Sequence, residues 1–292
     1  MQDIILHLGA HRTASTHVQG VIGKNQPLLA RAGIHAPEQK LLHRALTKGL
    51  NGRLPVSART FERFVQECGV EAAETLVISD ENLLGFLNSI FTHGAFYPDT
   101  RRRLNRLRQI LPTAPRRIVF GIRPYDTFFS SAYGRWLAPT RSVIARDALE
   151  ELVLSLKRGW HDVASDIAAA FPDSELVLSE YSPDPAYGQA QLSRILGPLA
   201  ADLEFNPDYR WNRSMSARQT MLYEQAVLEG NEEKAAEIRA WRRFKQPPLI
   251  EDFWSTATQS TLQSRYKDDR AALRRQFPAF VTAADFAKQD AP

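Results

Sequence analysis

The stretch Asp3-Ile-Ile-Leu-His-Leu-Gly9, followed by Ala10-His11-Arg12-Thr13-Ala14-Ser15-Thr16 and then His17-Val18-Gln19, decides the fold. An apolar strand over 3–9 runs into a short loop of small, hydroxyl-bearing and basic residues, and a helix over 16–32 follows, ending near Gly33. The free N–H groups at a helix start, with the helix dipole behind them, favour an anion. Arg12 adds charge, and Ser15 and Thr16 add hydroxyl donors. An ordinary Ser/Thr-capped turn has the same local pattern, so this stretch alone leaves both readings open.

A second stretch bears on the choice. Arg117-Ile-Val-Phe-Gly-Ile122 reads as a buried strand ending in Arg123-Pro124-Tyr125-Asp126, with a helix over 127–137 carrying Ser131, Tyr133 and Trp136. Parallel α/β sheets gather ligands at the carboxyl ends of their strands, so Arg123 can converge on the first loop. The competing reading of Arg123 is an ion pair with Asp126. Further strands are expected at 75–79 and 175–179, with a short extended segment at 34–37. Helices are expected at 43–50, 59–72, 100–111, 144–170, 188–197, 216–229, 231–243 and 258–276. The 144–170 helix rests on Val153, Leu156, Trp160, Val163 and Ile167 near helical spacing. The alternation of strand and helix predicts an α/β fold built on a parallel β-sheet flanked by helices.

The chain has 292 residues, 43% of them hydrophobic, and a formal net charge of +4. It is long enough for one large α/β domain, read as residues 1–182 forming a core and 183–287 a mostly helical part packed on it. No apolar run approaches a membrane span, and the first strand is read as beginning almost at once, so no signal peptide is expected. With the single cysteine Cys68, these points lead to the expectation of a cytoplasmic protein without disulfides or a Cys-based metal site. Arg101, Arg102, Arg103, Arg106 and Arg108 read as a solvated helix face, and no nucleic-acid motif accompanies them.

Together the two stretches resemble the nucleotide-binding signatures of sulfotransferases that use 3′-phosphoadenosine-5′-phosphosulfate. His11-Arg12-Thr13-Ala14-Ser15-Thr16 is similar to that family's 5′-phosphosulfate loop, and Arg123 with Ser131 eight residues on is similar to its 3′-phosphate motif. Leu76-Val-Ile-Ser79-Asp80-Glu81, Leu176-Val-Leu-Ser-Glu180-Tyr181 and Asn212-Arg213-Ser214 are weaker echoes, and residues between Asn82 and Asn105 have no counterpart. Two positions depart from the pattern. Arg12 stands for the usual Lys and keeps its charge with a fork of donors. Ala14 stands for the usual Gly, and a positive φ there would be disfavoured by its Cβ.

The resemblance implies a P-loop NTPase-like sheet and sulfuryl transfer to a hydroxyl or amine, with no metal required. Arg12 would stabilise the leaving oxygen, Thr13, Ala14, Ser15 and Thr16 would hold the 5′-phosphate, and Arg123, Ser131 and Arg213 the 3′-phosphate. The base is read as Glu81, which follows the strand 75–79 directly, with His43 and then His35 as alternatives. Glu81 reads equally well as an acid placed at a helix start. The acceptor is expected to be a small molecule, glycan or lipid, a glycan or glycolipid by analogy with bacterial relatives. Oligomeric state is not legible. A catalytically weak nucleotide-binding protein of the same fold and a P-loop kinase are the alternatives. The kinase is disfavoured because the first loop lacks Gly-Lys-Ser/Thr.

Overall fold

The computed structural model describes residues 3–52, 58–70, 73–184, 186–206, 215–240 and 253–282. Its centre is a five-stranded sheet in the order β2-β3-β1-β4-β5. The strands are β1 (Asp3–His7), β2 (Ile34–His35), β3 (Thr75–Ser79), β4 (Arg117–Ile122) and β5 (Glu175–Glu180). All neighbouring pairs are parallel: Asp3 sits beside Thr75, Ile5 beside Arg117, Ile34 beside Thr75 and Arg117 beside Glu175. The expected α/β class with a parallel sheet is therefore what the chain adopts.

Side-chain alternation along the strands divides the core into two layers. Ile4, Leu6, Leu76, Ile78, Ile118 and Phe120 face the larger layer, while Ile5, Val77 and Val119 face the smaller one. The smaller layer is closed by Val18, Val21 and Ile22 of α1 (Ser15–Lys24) and by Leu192 and Ile195 of α10 (Ala186–Leu196). The larger is covered by helices that include α6 (Thr100–Ile110), α7 (Tyr125–Thr140), α9 (Trp160–Ala170) and α13 (Thr256–Gln276).

Two expected helices are each broken in two. The first stops at Lys24, and α2 (Gln26–Arg31) starts afresh. Asn25 causes the break: its Nδ2 donates to the carbonyl of Glu204, and its Oδ1 accepts from the Glu204 amide. Pro27 then suits a new first turn. The expected 144–170 helix is α8 (Arg146–Ser155) followed by α9, with Gly159 as the N-cap between them. Among the described residues no helix is long and apolar enough to cross a membrane.

From β1 the chain goes first to the edge at β2, returns to β3 beside β1, and then crosses to β4 on the other side. The direction of winding reverses next to β1. In sheets of this kind the crevice at the carboxyl ends of the two strands flanking that reversal receives ligands. Here those ends carry His7 to Thr16 and Ile122 to Ser131.

Candidate functional site

The loop after β1 leaves the sheet tied to β4. The Leu8 amide donates to Val119 O and the Ala10 amide to Gly121 O. The chain then tightens, with the Thr13 hydroxyl donating to Ala10 O at 2.6 Å. Arg12 and Ala14 both take left-handed backbone conformations, with φ of 68° and 64°. Ala14 is the N-cap of α1, so the helix opens with the amides of Ser15 and Thr16, which have no acceptor inside it. Thr13 is buried, and its side chain faces the sheet rather than the crevice. A Cβ on Gly121 would come within 3.2 Å of the Thr13 hydroxyl and 2.7 Å of that of Tyr187, so β4 carries glycine where these side chains lie against it.

The two stretches meet. Arg12 Nε donates to Ser131 Oγ at 2.9 Å, and Arg123 Nη1 donates to the main-chain carbonyl of Arg12 at 2.9 Å. Arg123 Nε also donates to the Thr127 hydroxyl at 3.1 Å, and its guanidinium lies 4.8 Å from the centre of the Tyr181 ring. Burial pushes the pKa of Arg123 down, and neighbouring Tyr181 and Asp126 oppose that shift. The ion pair with Asp126 does not form. Asp126 instead accepts from the Thr127 amide and from Gln263. Among the described residues no carboxylate lies within ion-pair distance of Arg123.

On the other side of β1, Glu81 begins a 3₁₀ turn (Glu81–Leu83) capped by Asp80, whose Oδ1 accepts from the Asn82 amide. Gln19 of α1 and Gln39 both donate to Glu81 Oε2, at 3.0 and 3.2 Å. Burial raises the Glu81 pKa, but His11, its own main-chain amide, Gln19 and His7 outweigh it, and the carboxyl is held below its ordinary value. His11 is lowered chiefly by burial, against the pull of Glu81. Its hydrogen bonds fix a tautomer. Asn82 Nδ2 donates to Asp80, which turns Asn82 Oδ1 toward His11 and makes Nε2 the donor; Nδ1 then accepts from the Tyr97 hydroxyl at 2.8 Å.

His43 opens a π-helical turn (His43–Thr47) and is half-buried. Among the described residues, no hydrogen bond, ion pair or ring contact joins it to the loop or to Arg123. His35 lies in the edge strand β2. Arg213, with Asn212 and Ser214, falls outside the described residues. Gln19, Gln39, Asn82, Tyr97 and Tyr181 join the site without having been expected there. Tyr181 alone had a signal, its position directly after β5. The expected solvated arginine face is corrected at Arg103, which is buried: it donates to the carbonyls of Leu83 and Asn82 and anchors the Glu81 turn from behind. Burial lowers its pKa to about 10.

Comparison with family models, with curated proteins and with solved structures finds no match for this chain.

Proposed function

We propose that the chain is a sulfotransferase that takes a sulfuryl group from 3′-phosphoadenosine-5′-phosphosulfate and passes it to a hydroxyl or amine of an acceptor, a glycan or glycolipid by analogy. The observation that carries this reading is the pair of bonds across the crevice, Arg12 to Ser131 and Arg123 to the Arg12 carbonyl. They bring two cationic side chains and an open helix start together at the winding reversal of a parallel sheet. That donor set fits a ligand anionic at two places. Among the described residues no carboxylate lies within ion-pair distance of Arg123, which supports the same view, because a half-buried guanidinium favours an anionic partner.

When bound, the nucleotide supplies a sulfuryl group whose leaving oxygen gains negative charge. Arg12 holds a fixed positive charge at the turn, where such charge is stabilised without reorganisation. The amides of Ser15 and Thr16 and the Thr16 hydroxyl bind the 5′-phosphate, and Ala14 shapes the turn that presents them. Arg123 and Ser131 bind the 3′-phosphate, and Arg213 joins them by resemblance alone. Thr13 serves through its inward hydroxyl bond, which holds the turn closed. Glu81 receives the acceptor's proton. Both amides grip its Oε2, which leaves Oε1 to take the proton. Its lowered pKa keeps it ionised at neutral pH, the form that accepts a proton, and the two amides hold that carboxylate in place.

A nucleotide-binding protein without transfer activity is the second reading, favoured by the left-handed backbone of Ala14. A thermal-shift series tests both. Stabilisation by adenosine 3′,5′-bisphosphate without magnesium supports the nucleotide site, and stabilisation only by ATP with magnesium would turn the assignment to a kinase. Donor consumption with a panel of glycan acceptors then separates transfer from binding.

A further inference from the structure

We infer that Asp269, on the C-terminal helix α13, is a positioning residue for Arg123: it clamps the end of β4 to the start of α9 and so fixes where the guanidinium points. Its role toward a ligand rests on the proposed function, but the clamp itself does not.

The junction is built as follows. Asp269 Oδ2 accepts from the Tyr125 hydroxyl in a short hydrogen bond, from the Trp160 amide at 2.7 Å, which that amide shares with the Tyr125 hydroxyl at the same distance, and from the His161 amide at 3.4 Å. The two amides open α9, where a carboxylate is favoured by the helix dipole. The Tyr125 and Trp160 rings lie parallel, 5.9 Å apart. Trp160 Nε1 then donates to the carbonyl of Arg123 at 2.8 Å. Both the main chain of Arg123 and the ring two residues beyond it are thus held by Trp160, which Asp269 holds in turn. Trp160 is fully buried, against Phe96 and Phe128 at 4.8 and 4.9 Å, so it transmits position rather than yielding.

Gly159 makes the junction possible. A Cβ there would overlap both Asp269 Oδ2 and the Tyr125 hydroxyl. On the same helix, Tyr266 donates to Glu180 Oε1 at 2.9 Å, and Arg270 lies 3.3 Å from Glu180 Oε2, which fastens α13 to the end of β5 just before Tyr181. One helix therefore braces both neighbours of the Arg123 guanidinium, its own strand end and the ring beneath it.

The test uses the full chain and two readouts. The first needs no ligand: solvent exchange of the Arg123 Nε–H in ¹⁵N spectra, identified by its loss in Arg123→Lys. Asp269→Ala should speed that exchange about tenfold, the scale of one lost charged hydrogen bond, and Gly159→Ala should do the same by pushing the carboxylate away. Asp269→Asn carries the comparison if the alanine variant does not fold. The second readout is the preference for adenosine 3′,5′-bisphosphate over adenosine 5′-phosphate, which should shrink about tenfold in the same variants. Glu224→Gln, which weakens a pair with Arg146 elsewhere, is the control for general destabilisation and should alter neither. Unchanged Nε–H exchange in folded Asp269 and Gly159 variants would overturn the inference, as would faster exchange with the 3′ preference intact. If the unsubstituted protein shows no 3′ preference, the exchange result still decides the clamp, and the failure falls on the proposed function alone.

Discussion

Arg123 Nη1 donates to the main-chain carbonyl of Arg12 at 2.9 Å, so the end of β4 is bonded to the turn that follows β1. Arg12 returns the contact through Ser131, in the second turn of α7. A cation from each strand end therefore belongs to one cluster.

The turn carries strain that a single substitution relieves. Ala14 sits at φ 64° as the N-cap of α1. A left-handed conformation costs an L-residue about 1–2 kcal/mol, and the extra freedom glycine has when unfolded offsets part of that. Ala14→Gly should therefore stabilise the protein by about 0.5–1 kcal/mol and raise the melting temperature by about 2 °C. A lower melting temperature would mean that Ala14 does not occupy this conformation in solution.

Glu81→Gln should lower turnover by about 10²–10⁴-fold while donor affinity stays the same, because the amide keeps the shape but cannot take a proton. Steady-state rates beside nucleotide titration make the comparison. Near-normal turnover would pass the role to His43.

Stability should fall in mild acid through His7. Its side chain is buried, with Nδ1 2.8 Å from Ser79 Oγ, and burial pushes its pKa down to about 4, against the pull of Glu81. The unfolded chain takes up this proton near the ordinary value of 6.5, and the folded one does not until about 4. The unfolded state thus holds more protons in that window, and stability declines as pH drops through it. Between pH 7 and pH 5 the loss should be about 2 kcal/mol. The lowered His11 shifts stability in the same direction. Urea titrations at the two pH values measure the slope, and His7→Gln should flatten it. An equal slope in that variant would show that other groups dominate.

Arg103→Met should cost about 2–4 kcal/mol, because it leaves the carbonyls of Asn82 and Leu83 without their buried donor. Chemical denaturation measures it. A loss below about 0.5 kcal/mol, the scale of an ordinary surface change, would contradict the anchoring role.

Much of this was legible in the sequence, and the reasons are local. Strands 75–79 and 117–122 are apolar runs bounded by turn residues, and the structure gives Thr75–Ser79 and Arg117–Ile122. The possibility of a positive φ at residue 14 came from the resemblance, in which glycine is usual at that position, and the structure gives φ 64° there. What was not legible depends on distant partners. The apparently continuous pattern over 144–170 gives no sign that the helix stops at Ser155 and restarts at Trp160, or that Asp269 and Tyr125 close on Gly159. Arg103 looked like one arginine among several, and only the 3₁₀ turn at Glu81–Leu83 gives it carbonyls to bind. Gln19 and Gln39 are polar residues on helices with no pattern of their own, and they acquire a role only when both reach Glu81.

If Arg12 and Arg123 share one ligand, calorimetry with adenosine 3′,5′-bisphosphate in the absence of magnesium shows heat of binding for the unsubstituted protein and affinity about 10–100-fold weaker for Arg123→Met, with adenosine 5′-phosphate binding both alike. No heat with the unsubstituted protein, or equal affinity in the folded variant, would contradict it.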